Sequence, residues 1–458
     1  MAPNDASVKI PTQKLSLPFN LVGEISSSIG IKYPTNRDHP LHSGHMWLEG
    51  KKADDGAEGL WRIHDDLYDF QDFVKSHPGG SMWLEVTKGT DITEAFHAHH
   101  ISTLPQKFLK NYFVRQATTP RTYPFTFHED GFYETLKTRI RKRLPSVSLR
   151  PVLISEVMTD SLLLGYFTLF LLAVKFESLI LSSLAGVCLS VMAVAAHNYF
   201  HKKDNFRMYY FDFTLMQSRE WRISHVLSHH IYTNTIQDLE VSNLEPFMFY
   251  LPCTKHFVVR YLSWIYTPVV FVFLFIGHHI KTIIQMVLSG EKFRFEVFLA
   301  YAVPFFVYTI TRQPIITCAL FFLWTILIGG LHFSIIGVNA AHHHPDIFHD
   351  GDAYRSKEDM DWGIFQLDAV MDKKEITGSH FLVLTNFGDH ALHHLFPTID
   401  HGLLESLYPI FWETCKDFGV EHRVITNLEM IKGQYKQLAK VDPKKSPPKK
   451  SIKPNYNK

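Results

Sequence analysis

Polar and apolar positions are unevenly divided along this chain. Residues 1–45 mix Pro, Ser and Asn with no hydrophobic period and read as a loose arm. Residues 46–117 set short apolar clusters between charged positions and predict a compact soluble unit. Residues 118–151, rich in Pro, Thr and base, read as a linker. From 152 onward the pattern changes. Apolar runs at 152–175 and 178–196 are separated only by the turn around Phe176-Glu177, and each is long enough to cross a bilayer, so they predict a helical hairpin. Three further apolar runs follow, at about 257–280, 295–311 and 314–338. The chain turns polar over 346–389, regains a peripheral helical character over 398–440, and ends in a Lys/Pro/Ser-rich tail, 441–458, of disordered composition. The expectation is a soluble domain followed by an all-α multi-pass membrane domain over 152–440.

Charge is balanced overall, with 46 Lys and Arg against 45 Asp and Glu, which does not indicate nucleic-acid binding. Its placement is informative. Arg139, Arg141, Lys142, Arg143 and Arg150 precede the first apolar run, and Lys202, Lys203, Arg207, Arg219 and Arg222 follow the second. Both clusters predict cytosolic flanks. Glu156 and Asp160, near the start of the first run, are candidates for the interface or a substrate channel. The four cysteines are far apart with no CxxC pair, as suits a reducing face, and the N-terminus lacks an apolar signal core.

Histidine is the compositional oddity: 28 residues, concentrated beside the apolar runs. His197-Asn-Tyr-Phe-His201 follows the second run, WRISHVLSHHIYTN carries His225, His229 and His230, and His390-Ala-Leu-His393-His394 comes late in the chain. On an α-helix, His225 and His229 share a face and point at one spot, with His230 about 100° further round, near a second. Imidazole suits iron, copper, zinc and nickel. Eight histidines exceed a four-ligand zinc site and suit two metal ions with open positions. Asn234, Asp238 and Asp389 are candidates to orient the outer ring nitrogens. If the three boxes share one site, the crossings between the second and third must be even in number. Lys281, Lys292 and Arg294 favour 295–311 with 314–338 as a second hairpin, leaving 257–280 in the interface.

The soluble unit holds a second constellation. His77-Pro78-Gly79-Gly80 is followed by Asp91-Ile-Thr-Glu-Ala-Phe96-His97-Ala-His99-His100. A haem iron held by two imidazoles needs one from each side of the porphyrin. Gly79 and Gly80 permit a tight turn beside the ring, and Phe70, Phe73 and Phe96 supply walls. With both axial positions filled, such an iron carries electrons and does not activate oxygen.

The three histidine boxes, with Leu395-Phe396-Pro397 after the third, resemble those of the membrane fatty-acid desaturase family over roughly 150–425. Residues 46–117 resemble cytochrome b5, through HPGG and the D-x-T-x-x-F…H pattern, whose spacing favours His100 as partner of His77. The resemblance implies an α+β cytochrome b5-like haem domain followed by an all-α multi-pass desaturase-like domain. It also implies haem b with two axial histidines, and two non-haem iron ions on His197, His201, His225, His229, His230, His390, His393 and His394. Acyl-CoA desaturases carry a further ligand four residues after an Asn, and Asn339 with His343 matches that spacing; His342 is the alternative. The implied activity is O2-dependent desaturation of a lipid acyl chain, with NADH-cytochrome b5 reductase as electron donor. The implied location is the endoplasmic reticulum membrane, haem domain and boxes on the cytosolic side. An acyl hydroxylase, or a non-catalytic membrane-bound haem electron carrier, would use the same layout. Three departures separate the chain from front-end desaturases: Asn198 follows His197, the second box is HxxxHH, and the third begins with His390.

Overall fold

The structure, a computed structural model, describes residues 22–290, 293–338, 341–355 and 360–447. The soluble unit is built on a three-stranded antiparallel sheet, Trp61–Ile63, Asp66–Tyr68 and Phe113–Gln116, with Trp61 opposite Tyr68 and Ile63 opposite Asp66. Trp61, Ile63, Phe70, Leu84 and Phe96 form its core, and the Trp61 indole donates to Leu84 O at 3.0 Å. Two short helices, Ser81–Thr87 and Thr93–His99, leave this core toward the second domain.

The segment expected to be a linker is structural. Its helix Phe132–Arg143 buries Phe132, Tyr133, Leu136 and Ile140 completely, because those positions fall on one face at helical spacing. The Tyr133 ring packs on Trp362 and Phe396, and its hydroxyl lies 3.2 Å from both His97 O and Leu395 O, so one side chain ties the soluble unit to the third histidine box. The described part of the arm is likewise not loose. Gly23 donates to Thr254 O, Ser28 binds the Asp350 carboxylate, and Arg37 makes a buried bidentate pair with Glu245 at 2.9 and 2.8 Å. Residues 1–21 of the arm and 448–458 of the tail lie outside the described residues.

Among the described residues three helices are long and apolar enough to cross a membrane: Arg150–Lys175, Leu179–His197 and Ile315–Gly337. The first two are joined at Glu177, which takes a left-handed φ of 49°, and Ser178 caps the second by accepting from Leu181 N. The second and third cross closely. A Cβ at Gly186 would sit 2.7 Å from Thr325 O, and Ser182 and Thr325 bond across the contact at 2.9 Å. Small residues thus set this helix pair where apolar burial alone gives no drive between helices. Leu153, Val157, Leu164, Ile180 and Leu320 stay exposed on the outside, as a lipid-facing surface requires. The apolar run beginning near 257 breaks into Ser263–Val272 and Leu274–Ser289, bent by 68°, and the next forms a shorter apolar helix, Phe295–Thr311. Asp160 receives both arms of Arg207 (2.9 and 2.8 Å) and the Tyr210 hydroxyl, so the acidic pair at the start of the first helix is neutralised at its edge.

Candidate functional site

His77 and His100 face each other across the soluble unit with ring centres 6.3 Å apart. A metal–imidazole bond of about 2 Å, plus about 1 Å from nitrogen to ring centre on each side, gives about 6 Å for two rings sharing one ion. Each Nδ1 is held by a nearby backbone carbonyl, Gly80 O for His77 and Phe96 O for His100, both at 2.9 Å. The Nε2 atoms are thereby free to ligate. Gly80 has a φ of 104°, and a Cβ at Gly79 would meet the His77 ring at 2.9 Å, so the Pro-Gly-Gly turn is what lets this imidazole stand where it does. Burial pushes His100 down to about 4, against the pull of the Phe96 carbonyl, and keeps it neutral. The neighbouring histidines point elsewhere. His97 stacks on Phe127 and bonds Glu134 at 2.8 Å, while His99 bonds Ala95 O at 3.0 Å and turns toward the second domain.

All eight histidines of the three boxes converge, with one addition. His197, His201, His225, His230 and His393 form one group, and His229, His342, His390 and His394 form another, both buried. In the first, Nε2 pairs lie at 2.7 Å (His197–His225), 3.0 Å (His225–His230), 3.1 Å (His393–His197) and 3.4 Å (His201–His197). In the second they lie at 2.8 Å (His342–His390), 3.1 Å (His229–His342) and 3.2 Å (His394–His390). Two nitrogens about 2.1 Å from one ion, and near right or tetrahedral angles, are about 3.0–3.4 Å apart; five of the seven spacings fall in that range, and His197–His225 and His342–His390 are slightly shorter. The groups adjoin where His230 stacks on His394 at 4.0 Å. Burial first, then neighbouring imidazoles, holds His201, His230, His390, His393 and His394 well below the usual histidine range. Neutral rings are the form that binds metal.

The helix carrying the second box differs from the α-helical expectation. Residues Arg222–His229 form a π-helix, and His230 N–H bonds back to His225 O. The wider turn pairs His225 with His230 in one group and sends His229 to the other, where an α-helix would pair His225 with His229. His225 and His229 meet instead on their outer sides, around Glu240. The further histidine also differs. His342, not His343, enters the second group, and His343 lies flat on the Tyr250 ring at 3.5 Å, away from both groups. The Ala369 carbonyl decides this by holding His342 Nδ1 at 3.0 Å. Asn339, on whose spacing the choice of His343 relied, lies outside the described residues.

The outer shell is carboxylate-rich. His229 Nδ1 faces Asp238 at 2.9 Å, His225 Nδ1 faces Glu240 at 3.1 Å, and His394 Nδ1 faces Gln366 at 3.0 Å. Burial opposes a charge on His229, yet Asp238 and Glu240 together outweigh it and hold that histidine above its usual value. Of the expected outer partners, Asp238 acts directly. Asn234 holds the His342 backbone through its carbonyl at 3.0 Å. Asp389 contacts no imidazole in the described hydrogen bonds; it accepts from Tyr408, and burial, with Asp372 nearby, pushes it up to about 7. Glu240 and Gln366 were not legible as partners, since only folding brings them to the rings. Asn198 is explained as well: its amide donates to Asp400 at 2.7 Å and its carbonyl accepts from His401 at 2.8 Å, a dual role that an Asp here could not fill.

A facing histidine pair in the soluble unit thus lies beside two adjoining, buried, all-histidine groups in the helical unit. Comparison with known proteins gives the class. The family model for fatty acid desaturase matches residues 176–426, and that for the cytochrome b5-like heme/steroid binding domain matches 47–118. The chain belongs to the fatty acid desaturase family, with a cytochrome b5-like domain on its N-terminal side. It is 43% identical over 421 residues to the "Cytochrome b5-related protein" of Drosophila melanogaster, covering 91% of this chain and 96% of that one. It is also similar to the "Probable Delta(5) fatty acid desaturase C" of Dictyostelium discoideum, 23% identical over 83% of this chain and 91% of that one. No solved structure matches. The membership implies haem, iron, a lipid substrate and association with a membrane.

Proposed function

We propose that this protein is a membrane-bound desaturase of lipid acyl chains. In this reading His77 and His100 hold haem b, and the two histidine groups hold two non-haem iron ions. The observation that carries it is the pair of adjoining all-histidine groups, together with the facing His77 and His100 rings of the soluble unit. A histidine-bound di-iron centre supplies, when loaded, the oxidising power from O2 needed to remove hydrogen from an unactivated CH2 pair. The chain's own residues do the rest. Asp238, Glu240 and Gln366 fix ring orientation, burial excludes water and keeps His201, His230, His390, His393 and His394 neutral, and the fused haem domain raises the local concentration of the electron donor. NADH-cytochrome b5 reductase is the proposed source of electrons, and the endoplasmic reticulum membrane the proposed location, haem domain and boxes facing the cytosol.

The topology follows the same reading. Phe295–Tyr301 is 3-10 helix and Ala302–Thr311 α-helix. Rises of about 2.0 and 1.5 Å per residue give this run about 29 Å, close to the hydrocarbon core of about 30 Å. It pairs with Ile315–Gly337 as the second hairpin, while Leu274–Ser289 lies along the interface, where Lys281 reaches His42 O at 3.0 Å.

Metal and haem content of detergent-purified protein tests the proposal: about three irons with one haem per chain are expected from two centre ions plus the haem. Lipid analysis of cells expressing the protein then decides the reaction. A new double bond supports desaturation, a new hydroxyl makes it an acyl hydroxylase, and iron confined to the haem makes it an electron carrier.

A further inference from the structure

His99 sits between the two cofactor sites and neither motif uses it. Its neighbour His100 turns inward to face His77; His99, on the helix Thr93–His99, turns outward to the desaturase domain. Its ring lies nearly parallel to that of His201, centres 6.0 Å apart and planes 20° apart. Two buried ring nitrogens here have no hydrogen-bond partner in the structure, His99 Nε2 and His201 Nδ1. Their characters are complementary. His99 Nδ1 faces the Ala95 carbonyl, which only accepts, so the proton sits on Nδ1 and Nε2 offers a lone pair. His201 enters the five-histidine group through Nε2, 3.4 Å from His197 Nε2. A ring ligating through Nε2 carries its proton on Nδ1 and needs an outer acceptor. His225 and His229 have carboxylates for this purpose; the His201 Nδ1 has no such partner, and the His99 ring is stacked beside it.

The docking that brings them together is firm. Arg222 lies over the Trp83 ring at 4.4 Å and bonds Phe200 O at 3.0 Å, clamping the helix after the Pro-Gly-Gly turn onto the loop that carries His201. We propose that His99 is an electron-relay residue, the ring stacked between the haem pocket and His201 through which the pocket communicates with the five-histidine group. The route is one peptide unit, His100 to His99, followed by one through-space step to His201. One electron moves along it: the haem iron goes from ferrous to ferric and a centre iron from ferric to ferrous, with no bond made or broken. The proposal rests on the desaturase reading above.

The test uses the full chain loaded with haem and iron, without O2 or substrate. The haem is reduced by a flash from a photosensitiser, and its re-oxidation by the centre is followed in the haem absorption band. His99→Leu is expected to slow re-oxidation at least tenfold while haem spectrum, haem midpoint potential and iron per chain stay at wild-type values. His99→Phe, which keeps an aromatic ring beside His201, is expected to recover part of the rate. Trp83→Phe, the control for a route through Arg222, keeps a ring against His99 and is expected to change it little. If His99→Leu loses haem, His99→Met replaces it, with the same expectation. An unchanged rate in the His99 variants, or a rate set by Trp83 alone, overturns the relay. Failure of the wild-type haem to re-oxidise at all, in protein carrying three irons, overturns the desaturase reading and the relay with it.

Discussion

The His77–His100 pair and the three-box histidine groups solve the same problem, turning imidazole nitrogens toward one another, by opposite means. In the pocket both ligands come from one short stretch of chain, and each outer nitrogen is held by a carbonyl three or four residues away. In the centre the ligands come from four separate segments, and the partner of a ligand can lie far along the chain, as Gln366 does for His394 and Ala369 for His342. The pocket is a local device attached to a small sheet. The centre exists only when helices, loops and the polar region 341–395 have assembled around it. Local wiring predicts independence; tertiary wiring predicts that single changes propagate.

The largest expected effect separates the two outright. His393→Ala removes a ring that touches His197, His201 and His230, and should abolish centre iron and product formation, by at least about 100-fold, with the haem band intact. His77→Ala should do the converse, removing haem and sparing centre iron; loss of both metals in either variant would break the comparison. Next, His342→Ala should lose centre iron as a ligand variant does, while His343→Ala should stay within about twofold of wild type in iron content, as befits a ring stacked on Tyr250. Metal analysis of the two proteins side by side settles which histidine ligates. Asp238→Asn keeps the shape but removes the charge facing His229, and should weaken metal binding by about 10–100-fold, read by chelator competition. The smallest effect belongs to the local device. Gly80→Ala forces a side chain into a φ of 104° and should cost the haem domain about 1–3 kcal/mol, read by denaturant titration of the haem band, with centre iron unchanged.

The same contrast explains what could be read in advance. The facing of His77 and His100 was legible because the HPGG turn and the following helix carry their own geometry. The convergence of the three boxes was legible because clustered histidines beside apolar segments have few other uses. How the ligands divide between two groups was not, since it depends on a π-helical turn that hydrophobic period does not encode, and the α-helical pairing of His225 with His229 gave way to His225 with His230. His342 and His343 are chemically identical neighbours, and only the Ala369 carbonyl and the Tyr250 ring distinguish them. The contacts of the linker and of the described part of the arm were not legible for a related reason. Tyr133 and Arg37 are ordinary residues in sequence and become anchors only against Leu395 and Glu245.

By itself the sequence determined the composition of this protein: a soluble haem-type unit, long apolar helices, and enough imidazole for a second metal centre. Those features are local, written in period, spacing and residue type. The tertiary structure decided the grouping of the ligands, the carboxylates behind them, and the placing of His99 against His201. Each depends on which distant residues occupy a shared volume, and that follows from packing the whole chain.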